Sequence, residues 1–149
     1  MTLSQKCRYA LRAIFELAKR QGCGPTTIGS IAEAQAIPPR FLELILAQAK
    51  QAGFVESRRG KAGGYLLARD PRDISVSDVI RVFEGPISVV DCTTAGGDGS
   101  CPLESDCVFK GLWDDASHAL LKVLEGTTFS DLVERDLAQT KAAVLTYSI

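Results

Sequence analysis

One histidine, one methionine and one tryptophan are all that the 149 residues carry of those types. A single histidine provides no metalloenzyme spacing, and no nucleophile–base pair is recognisable, so an enzyme is not expected. No run of about 18 apolar residues occurs, which excludes a helical membrane span. The opening Met-Thr-Leu-Ser-Gln-Lys-Cys-Arg-Tyr carries charge early and lacks the apolar core and small-residue cleavage site of a signal peptide. A cytoplasmic location is therefore expected, where thiols stay reduced. Internal repeats and low-complexity tracts are also missing.

What is present is uneven in two respects. Residues 1–70 hold 11 Lys/Arg against 5 Asp/Glu, whereas residues 71–149 hold 6 against 13. A basic half joined to an acidic half suggests that the first half meets a polyanion. The 5 cysteines are an odd number, and in a reducing compartment they point to metal or redox chemistry rather than a disulfide framework. Three of them, Cys92, Cys101 and Cys107, fall in the polar, glycine-rich stretch 91–107. The apolar content, 46%, is enough for one domain with a real core.

The periodicity predicts a mainly α fold with a small β-hairpin. A first helix over Leu3–Arg20 carries an apolar stripe that includes Cys7, with Ser4 as its cap. Thr27 caps a short helix over Ile28–Gln35, and Ala36-Ile37 make a tight turn. Pro39 then fits the first turn of a helix running to about Ala52, where its missing N–H costs nothing. Phe41, Leu42, Ile45, Leu46 and Ala49 are expected on the core face, with Arg40, Glu43, Ala47 and Gln51 outward. Two short helices joined this way read as a helix-turn-helix.

Residues 54–69 read as a strand, a glycine-rich turn and a returning strand. A hairpin whose tip holds Arg58, Arg59 and Lys61 among Gly60, Gly63 and Gly64 suits the wing of a winged helix. Glycines let backbone approach phosphates, and arginines enter a narrow minor groove. The rival, a phosphate-binding loop, needs a different residue order and a following helix. Ser75 and Asp78 form a capping pair for a helix to Glu84. A long helix follows over Val108–Glu125, with a stripe of Phe109, Leu112, Trp113, Ala116, Leu120, Val123 and Leu124. That stripe is wide for a lone helix, and its expected partner is its copy in a second chain. One more short helix is expected from Thr128 through Leu137; the remaining tail has no assignment. The division is thus a DNA-binding domain over 1–86, a cysteine-containing sensor loop over 87–107, and a dimerisation helix and C-terminal segment over 108–149.

In order, the Lys-x-Arg-Tyr-Ala of the first helix, Phe-Leu-Glu of the second motif helix, Arg-Arg-Gly-Lys-Ala-Gly-Gly-Tyr of the hairpin, Asp-Ile-Ser-Val-Ser-Asp-Val-Ile-Arg-Val-Phe-Glu-Gly-Pro-Ile and the cysteine triplet resemble the Rrf-type family of bacterial winged-helix transcription regulators. Its branches include IscR-, NsrR-, RirA- and CymR-like proteins. The resemblance covers residues 1 to about 137. It implies a homodimer on a palindromic double-stranded DNA operator, with the second motif helix in the major groove. By position, Arg40 and Glu43 face base edges, Glu43 as acceptor from a cytosine amino group. Thr27 and Pro39 lie at the two helix starts near DNA, Arg59 in the minor groove, and Arg58, Lys61 and the Tyr65 hydroxyl near phosphates. Pro38 and Leu44 depart from the polar residues common in IscR-like readers, so no operator sequence carries over.

The resemblance also implies that Cys92, Cys101 and Cys107 hold an iron–sulfur cluster, with two-iron (2Fe-2S) and four-iron (4Fe-4S) forms both open. By spacing alone, zinc fits three cysteines equally well. IscR-like branches have a histidine three residues after the third cysteine, where this chain has Lys110, and in NsrR-like branches the fourth ligand comes from the partner's first helix. His118 lies too far along the helix to replace it. Cys7 on the partner's first helix, Asp91, Glu104, Asp106, water or a small thiol stay open as the fourth ligand. A cluster-free alternative, resembling the CymR-like branch, regulates cysteine or sulfur metabolism through a partner enzyme or thiol chemistry.

Overall fold

The computed structural model describes residues 1–93 and 101–148. The glycine-rich middle of the expected sensor loop, 94–100, lies outside the described residues, as does Ile149.

Helix α1 (Gln5–Lys19) is the hub. Its start is fixed by Ser4, whose Oγ accepts from the Cys7 N–H at 3.1 Å, while the Ser4 N–H donates to Glu84 Oε1 at 2.8 Å. Ala10, Ala13, Ile14, Leu17 and Ala18 lie on one face at helical spacing and are all buried. Against that face pack α2 (Ile28–Gln35), α3 (Pro39–Gln51) and a two-stranded sheet. Thr27 caps α2 by accepting from the Ser30 N–H at 3.2 Å, and Pro39 opens α3. The turn between them puts Ala36 in the left-handed region at φ 49°, and Ile37 anchors it in the core.

Strands β1 (Val55–Arg58) and β2 (Gly64–Leu67) pair antiparallel with Val55 opposite Leu67 and Arg58 opposite Gly64. A single-turn 3-10 segment over Pro71–Asp73, absent from the sequence reading, leads to α4 (Val76–Glu84). The Ser75–Asp78 capping box at the start of α4 is present in both directions, at 2.9 and 3.1 Å.

Helix α5 spans Lys110–Glu125 and starts two residues later than expected. Helix α6 spans Phe129–Tyr147, so the expected short helix ending at Leu137 continues through most of the unassigned tail. The reason is local: residues 138–147 contain no Gly or Pro and are rich in helix formers. The core does not stop at residue 86. Phe129 is fully buried in the same cluster as Ile14, Leu46 and Ile74, and its N–H donates to Ile74 O at 3.0 Å. Lys19 and Asp136, 2.9 Å apart, tie α1 to α6.

Two burial expectations need correction. Phe41, expected on the core face of α3, is 41% exposed; it tilts against Tyr9 at 6.1 Å with Arg40 over its ring. The wide α5 stripe divides into two. Leu120 and Leu124 pack inside the chain, with Cys7, Ile80 and Ile87, whereas Phe109, Leu112 and Val123 stay exposed. Periodicity marks apolar positions on a helix; which of two faces meets the rest of the chain depends on α4, a neighbour distant in sequence.

Candidate functional site

The helix-turn-helix is held rigidly at its turn. Glu16 is buried on α1 and accepts from Gln35 Nε2 at 2.8 Å and from Arg20 Nε at 2.6 Å. Arg12 adds a hydrogen bond to the Gln35 carbonyl. Burial alone would push the Glu16 carboxyl up, but the hydrogen bonds from Gln35 and Arg20 and the charges of Arg20 and Lys19 bring it below its ordinary value. The end of α2 is thereby locked to α1, and the direction of α3 follows. On α3, Arg40, Glu43, Leu44, Ala47 and Gln51 recur at i, i+3, i+4, i+7 and i+11 and are all exposed, a single outward row.

At the hairpin tip Arg58 is engaged with Glu56 at 3.1 Å. Among the described residues Arg59 and Lys61 have no carboxylate partner, and both are exposed. Thr26 and Tyr65 exchange backbone hydrogen bonds at 2.8 Å each way, so the root of the hairpin sits against the N-terminus of α2. This brings Thr27 and Tyr65 together. Gly64 makes the approach feasible: a Cβ there would lie 2.5 Å from the Thr26 carbonyl oxygen. Lys50 Nζ donates to Ser57 Oγ at 2.6 Å, linking the end of α3 to β1.

The cysteines fall into three environments. Cys92, Cys101 and Cys107 line one small cavity of about 20 Å³ together with Glu104 and Lys110. Cys101 enters a chain of tight turns in which the Glu104 N–H donates to Cys101 O at 3.1 Å and the Lys110 N–H to Cys107 O at 3.2 Å. These turns bring Cys107 to the start of α5. Thiols are the right donors for iron–sulfur or zinc chemistry, so the residues fit such a group by type. Among the described residues, however, no three His, Cys, Asp or Glu side chains already stand as a closed metal-holding group. Asp106 and His118, both exposed, do not line the cavity. Cys23 is exposed in the loop after α1.

Cys7 is removed from this chemistry. It is fully buried, and burial first, then the neighbouring Glu84 carboxylate, push its thiol up to about 11. A buried neutral thiol is a small core group, not a ligand for a second chain.

A family model described as an iron-dependent transcriptional regulator, Rrf2, matches residues 3–135. The chain belongs to the Rrf2 family. It is 38% identical over 132 residues to the HTH-type transcriptional regulator CymR of Bacillus subtilis, covering 89% of each chain. The solved structure of that protein, described as the global cysteine regulator, superposes with a TM-score of 0.75 over 91% of this chain and 98% of the other. The HTH-type regulator IscR of Escherichia coli is 35% identical over 133 residues, covering 89% of this chain and 80% of IscR. A solved IscR from T. potens gives a TM-score of 0.74 at 35% identity, covering 91% and 88%. This Rrf2 chain is thus a winged-helix transcription regulator and not an enzyme. No helix among its described residues is long and apolar enough to cross a membrane.

Sequence reasoning missed Ser117, the polar member of the Rrf2 chain's joint between its halves. Ser117 is buried on α5, and its Oγ accepts from the Val89 N–H at 3.2 Å. Ile87, two residues earlier, is buried with Ile80 of α4. The segment entering Cys92 is therefore pinned on one side to α4 and on the other to α5. The only available signal was a serine set within an apolar stripe.

Proposed function

We propose that this Rrf2 chain is a homodimeric, cytoplasmic DNA-binding regulator whose hold on DNA is set by an iron–sulfur cluster bound through Cys92, Cys101 and Cys107. What supports the reading most is that these three thiols line one cavity at the joint between the helix-turn-helix half and α5. When bound, the cluster supplies iron–thiolate bonds that respond to oxidants, nitric oxide or iron supply. Holding or releasing the three thiols would move Cys92 relative to Cys107. Ser117 and Ile87 carry that movement to α5 and α4. Because α4 holds the start of α1 through Glu84, the reading head shifts with it.

On the DNA side, Arg40 and Glu43 read base edges in the major groove, with Thr27 and Pro39 at the two helix starts beside the backbone. Arg59 enters the minor groove, and Arg58, Lys61 and Tyr65 meet phosphates. Two copies joined through α5 address a palindromic operator.

Purification under nitrogen tests this. A coloured protein with matched iron and sulfide is expected, whose operator affinity changes when the iron is chelated. A colourless protein with stoichiometric zinc and unimpaired DNA binding would defeat the cluster reading. Two observations favour a second reading without a cluster: Lys110 stands in the cavity, and the thiols do not already close on a common point. In that reading a partner enzyme or thiol chemistry controls the repressor of a cysteine or sulfur pathway. Replacing all three cysteines by alanine separates the two, because unchanged regulation supports the second.

A further inference from the structure

Large exposed apolar side chains are scarce in the helix-turn-helix half. Among residues 1–93 there are three, Met1, Phe41 and Leu44, and two of these stand on α3. Leu44 is the most exposed, at 69%. It shares the outward row with Arg40 and Glu43 and lines a groove with Phe41, Ala47 and Gln48. Phe41 is accounted for by Tyr9 and by the Arg40 guanidinium over its ring. Among the described residues, Leu44 belongs to neither internal apolar cluster. With Ala47 it forms a short apolar strip between Arg40, Glu43 and Gln51, and covering that strip with an apolar group is favourable.

The occupant is defined by its neighbours. The row that carries Leu44 also carries Arg40 and Glu43, groups that hydrogen-bond base edges. The major groove offers one apolar group to a helix lying in it, the C5-methyl of thymine. Glu43 and Leu44 are consecutive on α3, so a carboxylate that accepts from a cytosine amino group stands beside a side chain that covers a methyl.

We infer that Leu44 is a specificity-determining residue that reads thymine through its methyl group, within the base pairs α3 contacts. This rests on the reading of α3 as the DNA reader proposed above. Ala47, one turn further on, extends the same apolar strip and leaves room for the methyl rather than competing for it.

The test begins with duplexes selected from a randomised library by the purified full chain. Each thymine of the selected duplex is then replaced singly by deoxyuridine, which removes only the methyl, and Kd is measured by fluorescence anisotropy for wild type and Leu44→Ala. At one thymine per half-site, wild type is expected to lose about fourfold on the uracil duplex, the equivalent of one buried methyl. Leu44→Ala is expected to bind thymine and uracil duplexes equally. Wild type indifferent to every uracil substitution overturns the inference and leaves DNA binding standing. Equal methyl sensitivity in Leu44→Ala also overturns it, because another side chain then reads the methyl. A Leu44→Ala protein that loses self-association while wild type ignores the methyl overturns it in favour of a protein interface. Failure to enrich any duplex defeats the DNA-reader reading itself, and this inference with it.

Discussion

Cys7 and the cavity cysteines share a side chain and differ in everything that makes it reactive. The nucleophile and metal ligand is the thiolate. With a thiol raised to about 11, about one Cys7 in a thousand is ionised at pH 8, and that fraction is shielded by Ile80 and Ile87. Iodoacetamide at pH 8 on the native, metal-free chain is therefore expected to label Cys23, Cys92, Cys101 and Cys107. Cys7 should label only after denaturation, as read by peptide mass spectrometry. Labelling of Cys7 at the rate of Cys23 would reopen its role as a ligand. Glu16 illustrates the opposite case, a buried charge kept because it is satisfied. Its folded-state value is lowered, so its stabilisation is complete above the unfolded value near 4.3 and is lost as pH falls through the lower folded value. Glu16→Gln should cost about 1.5–3 kcal/mol at pH 7, the scale of a hydrogen bond to a charged group. In urea titrations the gap between variant and wild type should close below about pH 4. A gap independent of pH would mean that Glu16 acts by packing alone.

Among elements, the hairpin and α2 form one unit. Gly64 has φ +151°, and a Cβ there would meet both the Thr26 carbonyl and, at 3.0 Å, the Thr27 nitrogen. Gly64→Ala must push the hairpin root off α2 or strain both, at about 1–3 kcal/mol. DNA affinity should fall by more than for the same substitution at Gly60, where φ +105° strains an alanine but the added Cβ meets nothing within 4 Å, so the difference isolates the root contact. Equal losses at the two positions would show that the root contact is unimportant. This unit also marks how far the sequence could be read. Thr27, Pro39, the Ser75–Asp78 box and the glycine hairpin are local signals whose chemistry is complete within a few residues, and each stands where the pattern put it. The convergence of Cys92, Cys101 and Cys107 on one cavity was readable only as a spacing that permits it. The exposure of Phe41 and the Ser117–Val89 hydrogen bond depend on what packs from far along the chain. No window of neighbouring residues holds that information.

At the scale of the whole molecule, α5 presents two apolar faces, and one is used internally. The other is the row Phe109, Leu112, Ala116, Ala119 and Val123, spaced 3, 4, 3 and 4 residues apart. That is the spacing of a helix–helix seam, and two alanines at its centre allow close approach. Phe109 and Leu112 are 55% exposed and Val123 is 65% exposed, too much apolar surface on one helix to leave in water. A second copy laid along this row would cover it, and wild type is then expected to sediment at about 32 kDa, twice the chain mass of 16.0 kDa. Leu112→Asp with Val123→Asp places carboxylates in the seam and should give a monomer. Its circular dichroism should match wild type, since neither side chain belongs to the internal clusters. Leu120→Asp is the contrasting variant: it strikes the cluster with Cys7 and Ile80 and should lower the melting temperature instead. The monomer should also bind a palindromic operator at least about 100-fold more weakly, because the second half-site no longer benefits from tethering. A double variant that still sediments as a dimer would move the seam elsewhere, most directly to the exposed Val144, Leu145 and Tyr147 at the end of α6.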